Sequence, residues 1–369
     1  VNVKARYLMI GGFLGAGKTT AILRLATELR DRGLRVGLIT NDQSTGLVDT
    51  AMLGSHGFAV EEISGGCFCC RFNSLVDASE KLSSELRPDV FIAEPVGSCT
   101  DLKATVDYPL RRLYGEDFGI APLSVMVDPI RAARILGIET GKSFSKKVVY
   151  IYRKQLEEAE IIVVNKTDLI SAEQLTTLLG ALRSEFPAAQ VMAVSAREGL
   201  GVSDWLDRML DSSPKLRGSM EVDYQTYGEG EALLGWLNCT VGVAADEPFD
   251  GNSVLLAIVR GLGASLGVRE IEIAHLKLTL SPDEGNDLAV GNLVRGDGRG
   301  ELSHSLQEPL EAGQLILNLR AEGDPDILRA EVLAVLQSVL AAAGVRFEME
   351  HMESFRPGKP TPTHRLAEV

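Results

Sequence analysis

The stretch Gly12-Phe13-Leu14-Gly15-Ala16-Gly17-Lys18-Thr19 constrains this chain more than any other. It fits G-x-x-x-x-G-K-[ST] and has the flanks that pattern requires. The apolar run Tyr7-Leu8-Met9-Ile10 precedes it, and Ala21, Ile22, Leu25 and Leu29 follow at helical spacing until Gly33. Strand, glycine loop and helix in this order make a phosphate-binding P-loop. Glycines let successive backbone N–H groups turn toward one anion, the helix N-terminus adds its positive dipole end, and Lys18 reaches the terminal phosphates. Gly12, Gly15, Ala16, Gly17, Lys18, Thr19 and Thr20 are therefore the expected phosphate site, with Mg²⁺ on the Thr19 hydroxyl.

Two further strand ends carry carboxylates. Arg35 to Thr40 reads as a buried strand that opens into the polar loop Asn41-Asp42-Gln43-Ser44-Thr45-Gly46. Ligands of open parallel sheets collect at such strand ends. Asp42 is thus placed either to reach the Mg²⁺ held by Thr19 or to close an ordinary Asx turn, with Asp49 a weaker candidate. The run Asp89-Val90-Phe91-Ile92-Ala93-Glu94-Pro95-Val96-Gly97 occupies the Walker B position. Glu94 is expected to bind Mg²⁺ through a water or to orient the attacking water, and Gly97 to let the backbone approach the γ-phosphate. Cys99, close behind, reads as packing.

The chain has 369 residues, which predicts two domains, and 51 Asp+Glu against 37 Lys+Arg. Without a basic cluster interleaved with aromatics, neither nucleic acid nor an anionic membrane is an expected partner. No apolar run is expected to span a membrane, and the N-terminus lacks a signal pattern, so a cytoplasmic location is expected. Three of the five cysteines crowd into Cys67-Phe68-Cys69-Cys70, between the strand Ala59 to Ile63 and a helical pattern through Leu75, Ala78, Leu82 and Leu86. That points to thiolate chemistry in a reducing compartment. In an extended segment Cys67 and Cys69 project to one side, and Cys70 joins them if the chain turns. Three thiolates then surround one soft ion, Zn²⁺, Co²⁺, Ni²⁺ or Cu(I), with an incomplete shell suited to exchange. Buried apolar thiols and a redox pair are the alternatives. The strand before the cysteines is expected beside Ile10 and Ile92.

Further on, Ile161-Ile162-Val163-Val164 leads into Asn165-Lys166-Thr167-Asp168. In N-K-x-D the Asp168 carboxylate accepts hydrogen bonds from the guanine N1–H and 2-amino group while the lysine stem packs on the ring. Adenine lacks that donor pair, so the nucleotide is expected to be GTP. Val191 to Ala196 ends in Ser195 and Ala196, suited to offering a backbone N–H to the guanine O6. A linker is expected over 213–230. Residues 231–355 then alternate strands and helices as an α+β layer, with helices at Ser253 to Leu266 and Ile327 to Ala343, and 356–369 form an extended tail. The isolated histidines 275, 304, 351 and 364 read as non-ligands.

Taken together, G-G-F-L-G-A-G-K-T-T, G-G-C-F-C-C, E-P-V-G and N-K-T-D resemble the CobW-like GTPases, kin of the nickel-insertion GTPases for urease and hydrogenase. The resemblance covers residues 1–212 through four ordered motifs and the remainder by its α+β pattern alone. It implies an α/β P-loop GTPase domain with a mainly parallel sheet flanked by helices, followed by a smaller α+β domain. It also implies GTP hydrolysis, with Lys18, Asp42 and Glu94 catalytic and Mg²⁺ on Thr19, Asp42 and Glu94. Guanine falls to Asn165, Lys166 and Asp168, and a transition metal (Zn, Co or Ni) to Cys67, Cys69 and Cys70. The implied partners are a client metalloprotein and, with nucleotide, a second copy of the chain. Where many members have N-E-F-G, this chain has Asn41-Asp42-Gln43-Ser44, and it lacks their histidine-rich stretch. A zinc-sensing module liganded by GTP is the competing reading, and N-K-T-D argues against a small-molecule kinase.

Overall fold

Strand β1 (Ala5–Gly12) is buried from Tyr7 onward, which is why its sequence runs apolar without alternation. In the computed structural model, which describes residues 4–41, 52–54, 56–213 and 218–368, β1 lies at the centre of a parallel sheet. The other strands are β2 (Val36–Asn41), β3 (Ala59–Ile63), β4 (Val90–Glu94), β5 (Phe118–Ile120), β6 (Ser124–Val127), β7 (Ile161–Val164) and β8 (Gln190–Ala193). Their order is β3-β2-β4-β1-β6-β7-β8, with β5 paired to the start of β1. Helices connect them, among them Lys18–Asp31, Phe72–Glu85, Lys146–Glu158, Ala172–Glu185 and Val202–Asp211. The fold is thus the expected α/β layer.

The strand order reverses on the two sides of β1, and the crevice at such a switch point is where open α/β sheets take ligands. The P-loop leaves β1 there. Ile22, Leu25 and Leu29 of the helix Lys18–Asp31 pack on Leu8, Ile10, Leu38 and Ile92, and Trp205 closes the same core. Its indole N–H donates to the Ser124 hydroxyl at 3.0 Å.

One expectation is corrected here. β3 does not lie beside Ile10 and Ile92; it sits at the sheet edge against β2, with Leu38 opposite Val60 and Asn41 opposite Ile63. Its half-buried sequence Ala-Val-Glu-Glu-Ile suits an edge, since Glu61 and Glu62 would be costly in the interior.

The described residues group into two compact units, the first also holding 218–228 and 359–368, the second 229–358. The stretch expected as linker therefore contains the start of a helix, Tyr224–Leu233, and the last residues return to the first unit. The second unit is an antiparallel sheet in the order β12-β11-β10-β13-β9-β14. Its strands are β9 (Leu234–Phe249), β10 (Glu272–Pro282), β11 (Ala289–Leu293), β12 (Glu301–His304), β13 (Leu310–Glu322) and β14 (Arg346–Phe355). The helices Gly251–Val268 and Pro325–Ala342 pack on it, capped by Asp250 and Asp324. Gly251–Val268, at 18 residues, is long and apolar enough by composition to cross a membrane, which the sequence reading did not anticipate. Val254, Leu255, Ile258, Val259, Leu262 and Leu266 are part of the unit's core.

Candidate functional site

The P-loop arches over the start of the helix Lys18–Asp31, with Gly15 and Gly17 in the left-handed region at φ 78° and 88°. At Gly17 a Cβ would also meet the Asn165 amide nitrogen at 2.5 Å, so the position requires glycine twice over. Lys18 and Thr19 are buried and Thr20 is exposed. Glu94, at the end of β4, comes within 3.7 Å of the Lys18 ammonium and accepts from the Thr19 hydroxyl at 3.3 Å. Gly97 is packed so closely that a Cβ would lie 3.0 Å from the Leu14 backbone nitrogen and 2.7 Å from its side chain. The turn after β4 and the P-loop are therefore packed directly against each other. Asp42 lies outside the described residues.

The residues expected to read the base also converge. The Asn165 side chain donates to the Ala16 carbonyl at 2.9 Å and accepts from the Ala196 N–H at 3.0 Å. Lys166, left-handed at φ 55°, extends its ammonium to the Gly15 carbonyl at 2.6 Å and to Asp128 at 3.0 Å. The Ser195 hydroxyl donates to Asp168 at 2.6 Å. Beside them the Ser195 N–H donates to the Leu200 carbonyl at 3.0 Å and the Ala196 N–H to the Asn165 side chain.

Sequence reasoning passed over Asp128 and Arg131. Asp128 ends β6, caps the helix Pro129–Ile135 by accepting from the Arg131 N–H, and pairs with Lys166. The buried Arg131 guanidinium donates to the Leu14 carbonyl and lies over the Phe13 and Phe144 rings, fixing the outer limb of the P-loop. A strand end followed by Asp-Pro, a helix-start signal, was the available clue.

At the edge of the same sheet the three loop cysteines meet. Their sulfurs lie 2.7 Å (Cys67 to Cys69), 3.1 Å (Cys67 to Cys70) and 3.7 Å (Cys69 to Cys70) apart, a group that could hold a metal ion. Asn41 shapes this loop from the end of β2: its amide donates to the Ile63 and Gly66 carbonyls at 2.9 and 2.7 Å and accepts from the Phe68 N–H at 2.9 Å. Across the sheet, the preceding Thr40 is in register with Glu94. Cys99 is buried on the turn that follows β4, its N–H donating to the Val96 carbonyl at 2.9 Å. Cys67 is held well below the usual thiol range because Cys69, then Cys70, donate to it. Donation to Cys67 in turn pushes Cys69 up and, with burial, Cys70 as well. None of the five cysteines is in a disulfide.

The chain's last residues lie against this loop. Thr361 donates its N–H to the Cys70 sulfur at 3.3 Å and Thr363 its N–H to the Cys69 carbonyl at 2.8 Å, while His364 sets an edge against Phe72. Arg365 then binds Asp101 at 2.7 Å, a carboxylate also held by the Tyr224 hydroxyl.

A P-loop at the switch point of a parallel sheet, with an acidic strand end beside its lysine and threonine, defines a P-loop nucleotide-binding protein. The model of the "CobW/HypB/UreG, nucleotide-binding domain" matches residues 6–193, and the chain belongs to that family. It is similar to the "Zinc-regulated GTPase metalloprotein activator 1" of Dictyostelium discoideum, with 28% identity over 217 residues that cover 50% of this chain and 44% of the relative. It is also similar to the "Zinc chaperone YeiR" of Escherichia coli (strain K12), with 31% identity over 166 residues that cover 45% of this chain and 47% of the relative. The chain spans about half the length of the curated relatives it matches. Among solved structures, HypB from Helicobacter pylori in complex with nickel aligns at 17% identity and a TM-score of 0.41, covering 56% of this chain and 86% of that one. That likeness is too slight to add to the fold described above.

Proposed function

We propose that the protein binds and slowly hydrolyses GTP and acts as a metallochaperone, taking a transition metal on Cys67, Cys69 and Cys70 and passing it to a client metalloprotein. The observation that carries this reading is the meeting of three sulfurs within 3.7 Å on a loop that Asn41 shapes from the strand next to Glu94. Sulfur donors select a soft ion, and relatives named as zinc chaperones favour zinc over cobalt or nickel. Asp168 accepts from the guanine edge, Asn165 and Lys166 tie the base site to the P-loop, and Lys18 meets the terminal phosphates.

Thr19 and Glu94 present hard oxygens that suit Mg²⁺, with Asp42 the further candidate, and the ion would neutralise phosphate charge. Thiols that must stay reduced fit the cytoplasm. Nucleotide-dependent pairing of two copies is part of the same reading. The test loads the protein with Zn²⁺ and follows transfer to a trap apoprotein with GTP or a non-hydrolysable analogue. Faster transfer with GTP supports delivery. Equal rates overturn delivery and leave a zinc-responsive regulator for which GTP is only a conformational ligand.

A further inference from the structure

Residues 361–367 run along the cysteine loop as neither helix nor strand, so their course is set by individual contacts rather than by a backbone ladder. Pro360 and Pro362 restrict the backbone on either side of Thr361 and lower the entropy lost when the segment is ordered. Its contacts with the loop fall on Cys69 and Cys70. The Thr361 N–H reaches the Cys70 sulfur itself at 3.3 Å, and Thr363 gives its N–H to the Cys69 carbonyl at 2.8 Å and its hydroxyl to the Cys70 carbonyl at 3.2 Å. Of the three loop cysteines, Cys67 and Cys69 are buried and Cys70 is partly exposed, so the segment touches the sulfur that solvent can reach.

Beyond these contacts the segment is tied to another part of the same unit. Arg365 pairs with Asp101 at 2.7 Å and donates to the Met220 carbonyl at 2.9 Å. The Leu366 N–H donates to the Ala104 carbonyl at 2.8 Å, and the Ala367 carbonyl accepts from the Ser219 N–H at 2.7 Å. The side chains of Arg365 and Asp101 are 39% and 1% exposed, so a buried carboxylate is joined to a cation that water and salt still reach. Such a pair holds at low ionic strength and weakens as salt screens it.

We propose that residues 361–366 are a strap that gates the Cys70 thiol, with the Arg365–Asp101 pair as its latch. While the latch is closed, anything that attacks or binds the Cys70 sulfur must displace the Thr361 N–H from it. The inference deepens the proposed function and, as far as the ion is concerned, rests on its reading of Cys67, Cys69 and Cys70 as metal ligands. An ion leaves by ligand exchange, in which an acceptor's donor atom bonds the metal as a cysteine sulfur releases it. Exchange starts at the exposed sulfur, and the strap slows both entry and release there. Opening the latch therefore changes the two rates more than it changes the equilibrium affinity.

The test follows alkylation of Cys70 by uncharged iodoacetamide in the metal-free full chain, with peptide mapping to assign the modified sulfur. Release of Zn²⁺ from the loaded chain to a chromophoric chelator is the second readout. In Arg365→Ala both are expected to speed up by about three- to tenfold, the scale of one half-exposed ion pair, while Arg365→Lys stays closer to wild type. Added salt should speed Cys70 alkylation in the wild type and leave it unmoved in Arg365→Ala. Equal Cys70 alkylation in the wild type and a folded Arg365→Ala overturns the strap, whatever the metal does. Faster alkylation with unchanged zinc release overturns its control of the ion. Faster alkylation in a chain whose zinc has no sulfur ligand, counted by X-ray absorption, upholds the strap and overturns the metal reading instead. If Arg365→Ala does not fold, Thr363→Pro removes the N–H held by the Cys69 carbonyl and is expected to expose Cys70 in the same way. The salt dependence of the wild type decides the latch without either variant, and a salt-independent rate overturns it.

Discussion

Replacing Asn41 by alanine should weaken metal binding although Asn41 is no candidate ligand. Its side chain makes three hydrogen bonds, to the Ile63 and Gly66 carbonyls and from the Phe68 N–H, that bend the chain between β3 and the cysteines. At about 1 kcal/mol net for each, roughly 3 kcal/mol of loop ordering is lost. Metal binding must then supply about half or more of that ordering itself, which corresponds to about 10- to 100-fold in affinity. Competition of Zn²⁺ between the protein and a chromophoric chelator measures it. Asn41→Asp sharpens the test, because it keeps the acceptor for Phe68 but points an oxygen at two carbonyls, and it should lose at least as much. Zinc affinity unchanged within twofold in both folded variants would refute the argument that this side chain organises the site.

Three other substitutions probe the nucleotide site and its support. Asp168→Asn should lower GTP affinity by about two to four orders of magnitude, from two charge-assisted hydrogen bonds at roughly 1.5–3 kcal/mol each, and should narrow the preference over ATP. Competition between the two nucleotides reads this, and a wild type that binds both equally would defeat the guanine assignment. Gly97→Ala should impair nucleotide binding, since its Cβ would press on the Leu14 backbone, and unchanged GTP affinity would show that the turn and loop move apart freely. Glu158 is buried against the Thr100 hydroxyl and Lys103 N–H, and desolvation, with Asp101 nearby, pushes its carboxyl up to about 8 from 4.5. The folded state therefore keeps a proton that the unfolded state releases, so this contribution is greatest below pH 4.5 and is lost as pH rises through 8. Glu158→Gln should gain stability relative to wild type over that window, by a few kcal/mol at its upper end, and parallel melting temperatures from pH 5 to 9 would contradict it.

What could be read from the sequence was whatever is local. The P-loop, the carboxylate that ends β4 and N-K-T-D each carry their chemistry within a few consecutive residues, and the parallel sheet follows from strands alternating with helices. Sheet order is not local. Nothing in Ala59–Ile63 states that β3 will pair with β2 at an edge, and so the neighbours expected for it were wrong although the strand was placed correctly. β12, four residues long and mostly exposed, has no periodic signal to find. Thr361 and Thr363 reach the cysteine loop from nearly 300 residues further along the chain, by backbone N–H groups and the Thr363 hydroxyl, a contact that no local pattern announces.

We propose that the metal loop and the P-loop form one coupled device, joined where Thr40 lies in register with Glu94 and Asn41 shapes the cysteine loop. Coupling is reciprocal, so the factor by which nucleotide changes metal affinity must equal the factor by which metal changes nucleotide affinity. Zn²⁺ titrations of the full chain bound to Mg·GDP, and separately to Mg with a non-hydrolysable GTP analogue, measure it most directly. Dissociation constants are expected to differ by about 5- to 150-fold between the two states, the range such couplings typically span. Equal zinc affinity in both would reduce the cysteine loop to a static site and contradict the coupling.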